Sequence, residues 1–144
     1  MSQTMPWWTG TVIYQLIVRS FADGNGDGIG DFKGLASRLP YLRWLGVKTL
    51  WLTPTYPSPL RDGGYDITDF KDIHPDLGDL ASFHRFLTAA HSQGMRVILD
   101  LVLNHTSDLH PWFQRARWAP KGSTERDVYV WSDDPSRYLS LIHI

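Results

Sequence analysis

An α/β fold built on a parallel sheet is what this 144-residue sequence predicts. Three observations predict it. Three short apolar runs have the length of strands, two amphipathic segments separate them, and both segments are long enough for right-handed crossovers. The resulting order is strand, helix, strand, helix, strand. It suits parallel pairing, because strands joined through a helix run in the same direction. A repeat of this kind closes into a (βα)8 barrel or stays open as a doubly wound sheet, and the pattern alone allows both.

The first strand is expected over Thr11–Val18, the second over Val47–Thr53 and the third over Arg96–Leu103. Apolar residues occupy both faces of each, as in strands covered from either side. The first helix is expected over Phe32–Leu45, where Leu35, Leu39, Leu42 and Leu45 recur at spacings of four, three and three before Gly46. A glycine there ends a helix by adopting a left-handed conformation. Pro40 falls inside the pattern and lacks an N–H, so a kink or a break is expected. The second helix is expected over Leu80–Gln93, with Leu80, Phe83, Phe86, Leu87 and Ala90 on its apolar face and Gly94 as its stop. Asp79 is its expected N-cap. Residues 106–138 break the alternation, setting Trp112, Phe113, Trp118, Tyr129, Trp131 and Tyr138 among Pro111, Pro120 and Pro135. This is an irregular excursion, longer than an ordinary connection. The final residues, 139–144, turn abruptly apolar.

Fourteen basic against fifteen acidic residues leave a net charge of −1, so no basic footprint for nucleic acid or an anionic membrane is present. Neither partner is expected. The absence of cysteine removes disulfides, thiolate metal sites and cysteine nucleophiles, and suits a reducing cytoplasm. The N-terminus lacks the basic start and apolar stretch of a signal peptide, and no apolar window is long enough to span a bilayer. A cytoplasmic location is expected.

Two places carry chemistry. Between the first strand and the first helix lies Asp23–Asp31, in which oxygen-bearing side chains alternate with glycines. Asp23, Asn25 and Asp27 fall at the first, third and fifth positions of a calcium loop, Gly28 at the sixth, the Ile29 carbonyl at the seventh and Asp31 at the ninth. A hard cation takes six or more oxygens at roughly 2.4 Å, with charge supplied by carboxylates. Gly34 stands where an EF-hand has its bidentate glutamate, and the loop follows a strand. A self-contained calcium-type loop is therefore expected, with a plain Asp/Gly turn as the competing reading. The second place is the ends of strands two and three, where a barrel of this class keeps its active site. Asp62 and Tyr65 flank Gly63 and Gly64, which let one turn present both side chains. A carboxylate beside an aromatic plane suits a sugar, whose hydroxyls donate and whose ring stacks. Asp100 and His105 close the third strand, although Asp100 inside an apolar run more often makes a buried hydrogen bond, and a lone histidine at a strand end is more often structural.

Taken together, Ile13–Leu16, Arg19–Phe21, Asp23–Phe32, Gly46 with Pro54, Gly64–Ile67 and Asp100–His105 resemble the start of the α-amylase superfamily of glycoside hydrolases, family 13, over residues 7–138. Ser58–Ile67, Asn104–Asp108 with His110–Phe113, and Tyr129–Asp133 resemble its trehalose synthase branch most, with the oligo-α-glucosidases next. The resemblance implies the N-terminal β1-α1-β2-α2-β3 portion of a (βα)8 TIM barrel over 1–105, the start of an excursion domain over 106–138 and a non-native tail over 139–144. It implies that Asp62 bonds the hydroxyls of the bound glucose, that Tyr65 stacks on its ring and that His105 meets its 6-hydroxyl. It implies Ca2+, or Mg2+, on Asp23, Asn25, Asp27, the Ile29 carbonyl and Asp31, with Asn104 a ligand of a second site. The implied substrate is a small α-glucoside such as maltose or trehalose. The implied chemistry is retaining, through a nucleophilic carboxylate and an acid/base about 5–5.5 Å apart. Those carboxylates belong to strands four, five and seven, so no catalytic residue is expected in this sequence. It reads as an N-terminal fragment, inactive and exposing apolar surface by itself. Maltose–trehalose interconversion is the expected activity of the parent, with an oligo-α-glucosidase or amylase-type hydrolase, a non-catalytic barrel subunit and a small calcium-binding domain as alternatives.

Overall fold

A computed structural model describes residues 5–134 and 136–137. Tyr138 and the expected tail, 139–144, lie outside the described residues. The chain forms two compact units, Met1–Thr55 with Asp72–Leu101, and Tyr56–Lys71 with Val102–Ile144.

The first unit is a three-stranded parallel sheet with two helices. Strands β1 (Ile13–Leu16), β2 (Thr49–Leu52) and β3 (Arg96–Leu99) lie in the order β1-β2-β3. Ile13, Thr49 and Arg96 start the register, and Leu16, Leu52 and Leu99 end it. Order and direction are those expected from the sequence. Each strand has four residues, shorter than its apolar run. After β1 the chain tightens into a 3-10 turn at Val18–Ser20. After β3 the Asp100 amide donates a last, long bond to Leu52 at 3.4 Å, and pairing stops. Leu101 and Leu103, expected within the third strand, are instead 64% and 82% exposed.

Helix α1 (Phe32–Trp44) runs unbroken through Pro40, so the expected break does not occur. Pro40 faces outward, while Leu35, Leu39 and Leu42 are fully buried on the opposite face and hold both halves to the core. Leu45, expected on that apolar face, is the C-cap and 48% exposed. Ten residues beyond Leu35, at 100° per residue, it has drifted roughly 80° off the stripe. Helix α2 (Leu80–Ser92) begins in a capping box, the Asp79 carboxylate accepting from the Ser82 amide at 2.6 Å and the Ser82 hydroxyl accepting from the Asp79 amide at 2.8 Å. Gly46 and Gly94 close the two helices at φ +89° and +76°. Phe32 packs its ring against Phe83 and Phe86, with centroids 5.2 and 5.5 Å away, over a core that includes Leu39, Leu50, Leu52 and Ala90.

The second unit is irregular among its described residues apart from one short helix, α3 (Pro111–Ala116). Proline at its first position gives up no hydrogen bond there. No helix among the described residues is long and apolar enough to cross a membrane.

Candidate functional site

Asp62, Tyr65 and His105 all belong to the second unit. Asp62 and Tyr65 share one tight turn, in which the Tyr65 amide donates to the Asp62 carbonyl at 3.0 Å. Gly63 and Gly64 between them take φ +60° and +103°, a conformation that excludes most side chains. His105 reaches the same turn, its Nε2 lying 3.1 Å from the Tyr65 carbonyl. A carbonyl only accepts, so Nε2 carries the proton and Nδ1 accepts from the Asn104 amide, 3.4 Å away. A backbone bond from Ser107 to the Ile67 carbonyl, 2.9 Å long, holds the two segments together. The three residues singled out in the sequence, His105 by the resemblance alone, lie on two adjoining loops, with Asp62 exposed and Tyr65 and His105 half-buried.

Four further residues, Arg61, Asp66, Asp108 and His110, organise these loops. Asp66 is buried and ties the turn from inside, its carboxylate accepting from the Ser58 hydroxyl at 2.5 Å and from the Arg61 amide at 2.9 Å. Burial works to raise its carboxyl, but those donors outweigh it and hold the group below the ordinary aspartate range. Arg61 reaches Asp108, with Nη1 3.3 Å from both carboxylate oxygens. His110, also buried, caps α3 by accepting from the Trp112 amide at Nδ1, 3.0 Å away. Sequence reading passed over all four. The partners of Asp66 and Arg61 become visible only once the loop closes on itself or meets a segment 47 residues away. The Asp66 and Asp108 carboxylates are engaged by donors, whereas no described group bonds that of Asp62. Among the described residues the site thus sets an exposed carboxylate, Asp62, beside the half-buried Tyr65 and His105.

The Asp23–Asp31 loop belongs to the first unit. Asp23 accepts from the amides of Asn25, Gly26 and Gly28 at 2.9, 2.6 and 2.7 Å. The Gly26 amide, then that of Gly28, holds its carboxyl below the usual range. Asn25 Oδ1 accepts from the Asp27 amide at 2.9 Å, and Asp27 Oδ1 from the Ile29 amide at 2.7 Å. Asp31 differs: it is buried, and its Oδ1 caps α1 through the Gly34 amide at 2.6 Å. As a donor set these oxygens fit a hard cation in type and charge, although Asp23 Oδ1 already accepts from two amides and Asp27 Oδ2 accepts from the Asn25 side chain. Among the described residues, however, no three acidic or histidine side chains are gathered around a common point. Gly34 is explained by packing, since a Cβ there would meet the Ala22 carbonyl at 1.9 Å. Position twelve of the loop has no room for glutamate. Asn104 is exposed and its amide nitrogen faces His105. Asp100 makes the bond expected of a carboxylate in an apolar run, accepting from Trp51 Nε1 at 2.6 Å.

The α-amylase catalytic domain matches residues 15–140. A trehalose synthase of Thermus thermophilus is 58% identical over 135 residues, which is 94% of this chain and 14% of that protein. One of Pimelobacter sp. (strain R48) is 54% identical over 132 residues, 92% of this chain and 23% of that protein. A glucan 1,6-alpha-glucosidase of Streptococcus dysgalactiae subsp. equisimilis is 47% identical, over 94% of this chain and 25% of its own. Among solved structures, a MutB mutant in complex with glucose aligns at a TM-score of 0.86 and 45% identity, over 93% of this chain and 24% of that one. The chain therefore spans a quarter or less of the length of these relatives.

Proposed function

The chain belongs to the α-amylase family of enzymes, as an N-terminal portion of its (βα)8 barrel, and from that premise we propose that it supplies the glucose-recognising part of a substrate site in an enzyme that interconverts maltose and trehalose. The observation that carries this reading is the meeting of His105 with the turn that bears Asp62 and Tyr65. In the proposed complex the Asp62 carboxylate accepts from two hydroxyls of the glucosyl ring, the Tyr65 ring lies against its apolar face and the His105 imidazole meets its 6-hydroxyl by exchanging its long 3.4 Å contact with Asn104 for the sugar. These contacts hold the ring in register and exclude water from one side of it. The proposed chemistry is retaining. A nucleophilic carboxylate displaces the glucose leaving group from C1 while an acid protonates that leaving oxygen; the anomeric hydroxyl of the same glucose then attacks C1, giving its proton back to the conjugate base and breaking the C1–carboxylate bond, which frees the nucleophile. The three barrel strands described here bear neither carboxylate, so both steps belong to other strands of the full enzyme. Identities of 54% and 58% with two trehalose synthases support isomerisation. The 47% identity with a glucan 1,6-alpha-glucosidase supports a second reading, in which water takes the place of the rotated glucose.

We also propose that Asp23, Asn25, Asp27, the Ile29 carbonyl and Asp31 hold Ca2+ or Mg2+, and that Asn104 contributes to a second such site. The all-oxygen donor set is the support; the ion would brace the loop between β1 and α1. A cysteine-free composition supports a cytoplasmic enzyme. Incubating the full-length gene product with maltose tests the function. Trehalose as the main product is expected; glucose alone would transfer the reading to the hydrolase, and an unchanged substrate would overturn both.

A further inference from the structure

We propose that Arg61 and Asp108 form a clasp that positions Asp62 against a sugar, an inference that rests on the recognition role given to Asp62 above. The pair is anchored at both ends. On one side the Arg61 amide donates to the buried Asp66 carboxylate at 2.9 Å, which fixes the backbone immediately before Asp62. On the other, Gln114 Nε2 donates to the Asp108 carbonyl at 2.5 Å, and the Ser107 hydroxyl lies 3.4 Å from its carboxylate. Between these anchors, Arg61 Nη1 sits 3.3 Å from each Asp108 oxygen. The backbone immediately after Asp62 is fixed as well, by the bond from the Tyr65 amide to the Asp62 carbonyl. Asp62 thus presents an exposed side chain on a backbone tied down on either side. The His105 loop is joined to the turn by His105 to Tyr65 and Ser107 to Ile67, both on the far side of Asp62 from Arg61. The clasp is a side-chain tie on the near side, and it sets how closely the Arg61–Asp62 end of the turn is held to the His105 loop.

The pair is a positioning device of small energy. Both side chains are more than half exposed, at 65% and 54%, and an exposed ion pair contributes about 0–1 kcal/mol, up to roughly a fivefold change in an equilibrium constant. It is also screened by salt. Maltose and trehalose carry no charge, so ionic strength has no direct hold on their binding, and a salt effect on KM reports the clasp.

In the full-length gene product, Arg61→Ala and Asp108→Ala are each expected to raise KM for maltose about three- to fivefold with kcat within twofold. The double variant should be no worse than either single one. Wild-type KM should rise between 0.05 and 1 M salt, as an estimate of about twofold set by screening of one exposed pair, and the variants should show no such rise. Exchanging the charges, Arg61→Asp with Asp108→Arg, should recover most of the loss. Unchanged KM in the single variants, or losses that simply multiply in the double one, would overturn the clasp. Asp62→Ala is the control that separates the two claims: if it leaves maltose turnover intact, the recognition role fails, whereas a strong Asp62→Ala effect beside inert Arg61 and Asp108 variants sinks the clasp alone.

Discussion

His110 shows how one buried residue ties a loop to solvent conditions. Burial pushes its pKa below the ordinary histidine value, Asp69 opposes that, and Arg115 adds to it. The neutral ring caps α3 through a lone pair on Nδ1, and protonation would remove that acceptor. An unfolded histidine takes up a proton near pH 6.5, before the folded one does. The unfolded state therefore binds more protons below that pH, and stability is lost as pH falls. The melting temperature of the full-length gene product should drop between pH 7 and 5, and His110→Asn, which keeps a cap without titrating, should flatten that drop by about 1–2 °C. An identical slope in the variant would contradict the assignment. Asp62 and Tyr65 stood out in the sequence because a double glycine separates the two side chains, whereas chain order alone left His105 a strand-end histidine and only the family resemblance singled it out. Arg61, Asp66, Asp108 and His110 did not stand out, because each acts through a partner that folding alone brings near.

At the level of elements, the glycines that matter are those that make space. Gly34 lies in the first turn of α1, where the Ala22 carbonyl passes 1.9 Å from the place a Cβ would occupy. Gly34→Ala must move backbone, and overpacking of that kind costs about 1–3 kcal/mol. The full-length gene product should lose about 2–6 °C in melting temperature, whereas the exposed neighbour variant Lys33→Ala should lose less than about 1 °C. Equal melting temperatures would show that the close approach is relaxed at no cost. The order of strands and helices could be read from periodicity and caps, down to Asp79. Strand ends could not, since the apolar run after Leu99 continues in Leu101 and Leu103 although their sheet has stopped pairing. Hydrophobicity reports burial somewhere, and not the point at which a ladder ends. Pro40 misled for a related reason: the loss of one helical bond is outweighed by three buried leucines, and the local rule knows nothing of them.

On the scale of the whole molecule, parallel order β1-β2-β3 leaves two edges, and the outer strands carry exposed Ile13 and Leu99. Those are the positions at which a closed barrel adds its next strands. The proposed cation adds a measurable linkage, since a ligand bound at 100 times its Kd stabilises the fold by about 2.7 kcal/mol. Chelation should lower the melting temperature of the full-length gene product by several degrees, calcium should restore it, and Asp27→Ala should shrink the response; a chelator without effect, or a response that Asp27→Ala leaves unchanged, would leave the loop a plain turn. The central claim concerns Asp62. Charge-assisted hydrogen bonds to a bound group contribute about 1.5–3 kcal/mol, roughly 10- to 150-fold in rate. The measurement that tests it most directly is kcat/KM for maltose in the full-length gene product and its Asp62→Ala variant, with melting temperatures alongside. A fall of at least about tenfold at an unchanged melting temperature is the predicted result; an undiminished kcat/KM would contradict it.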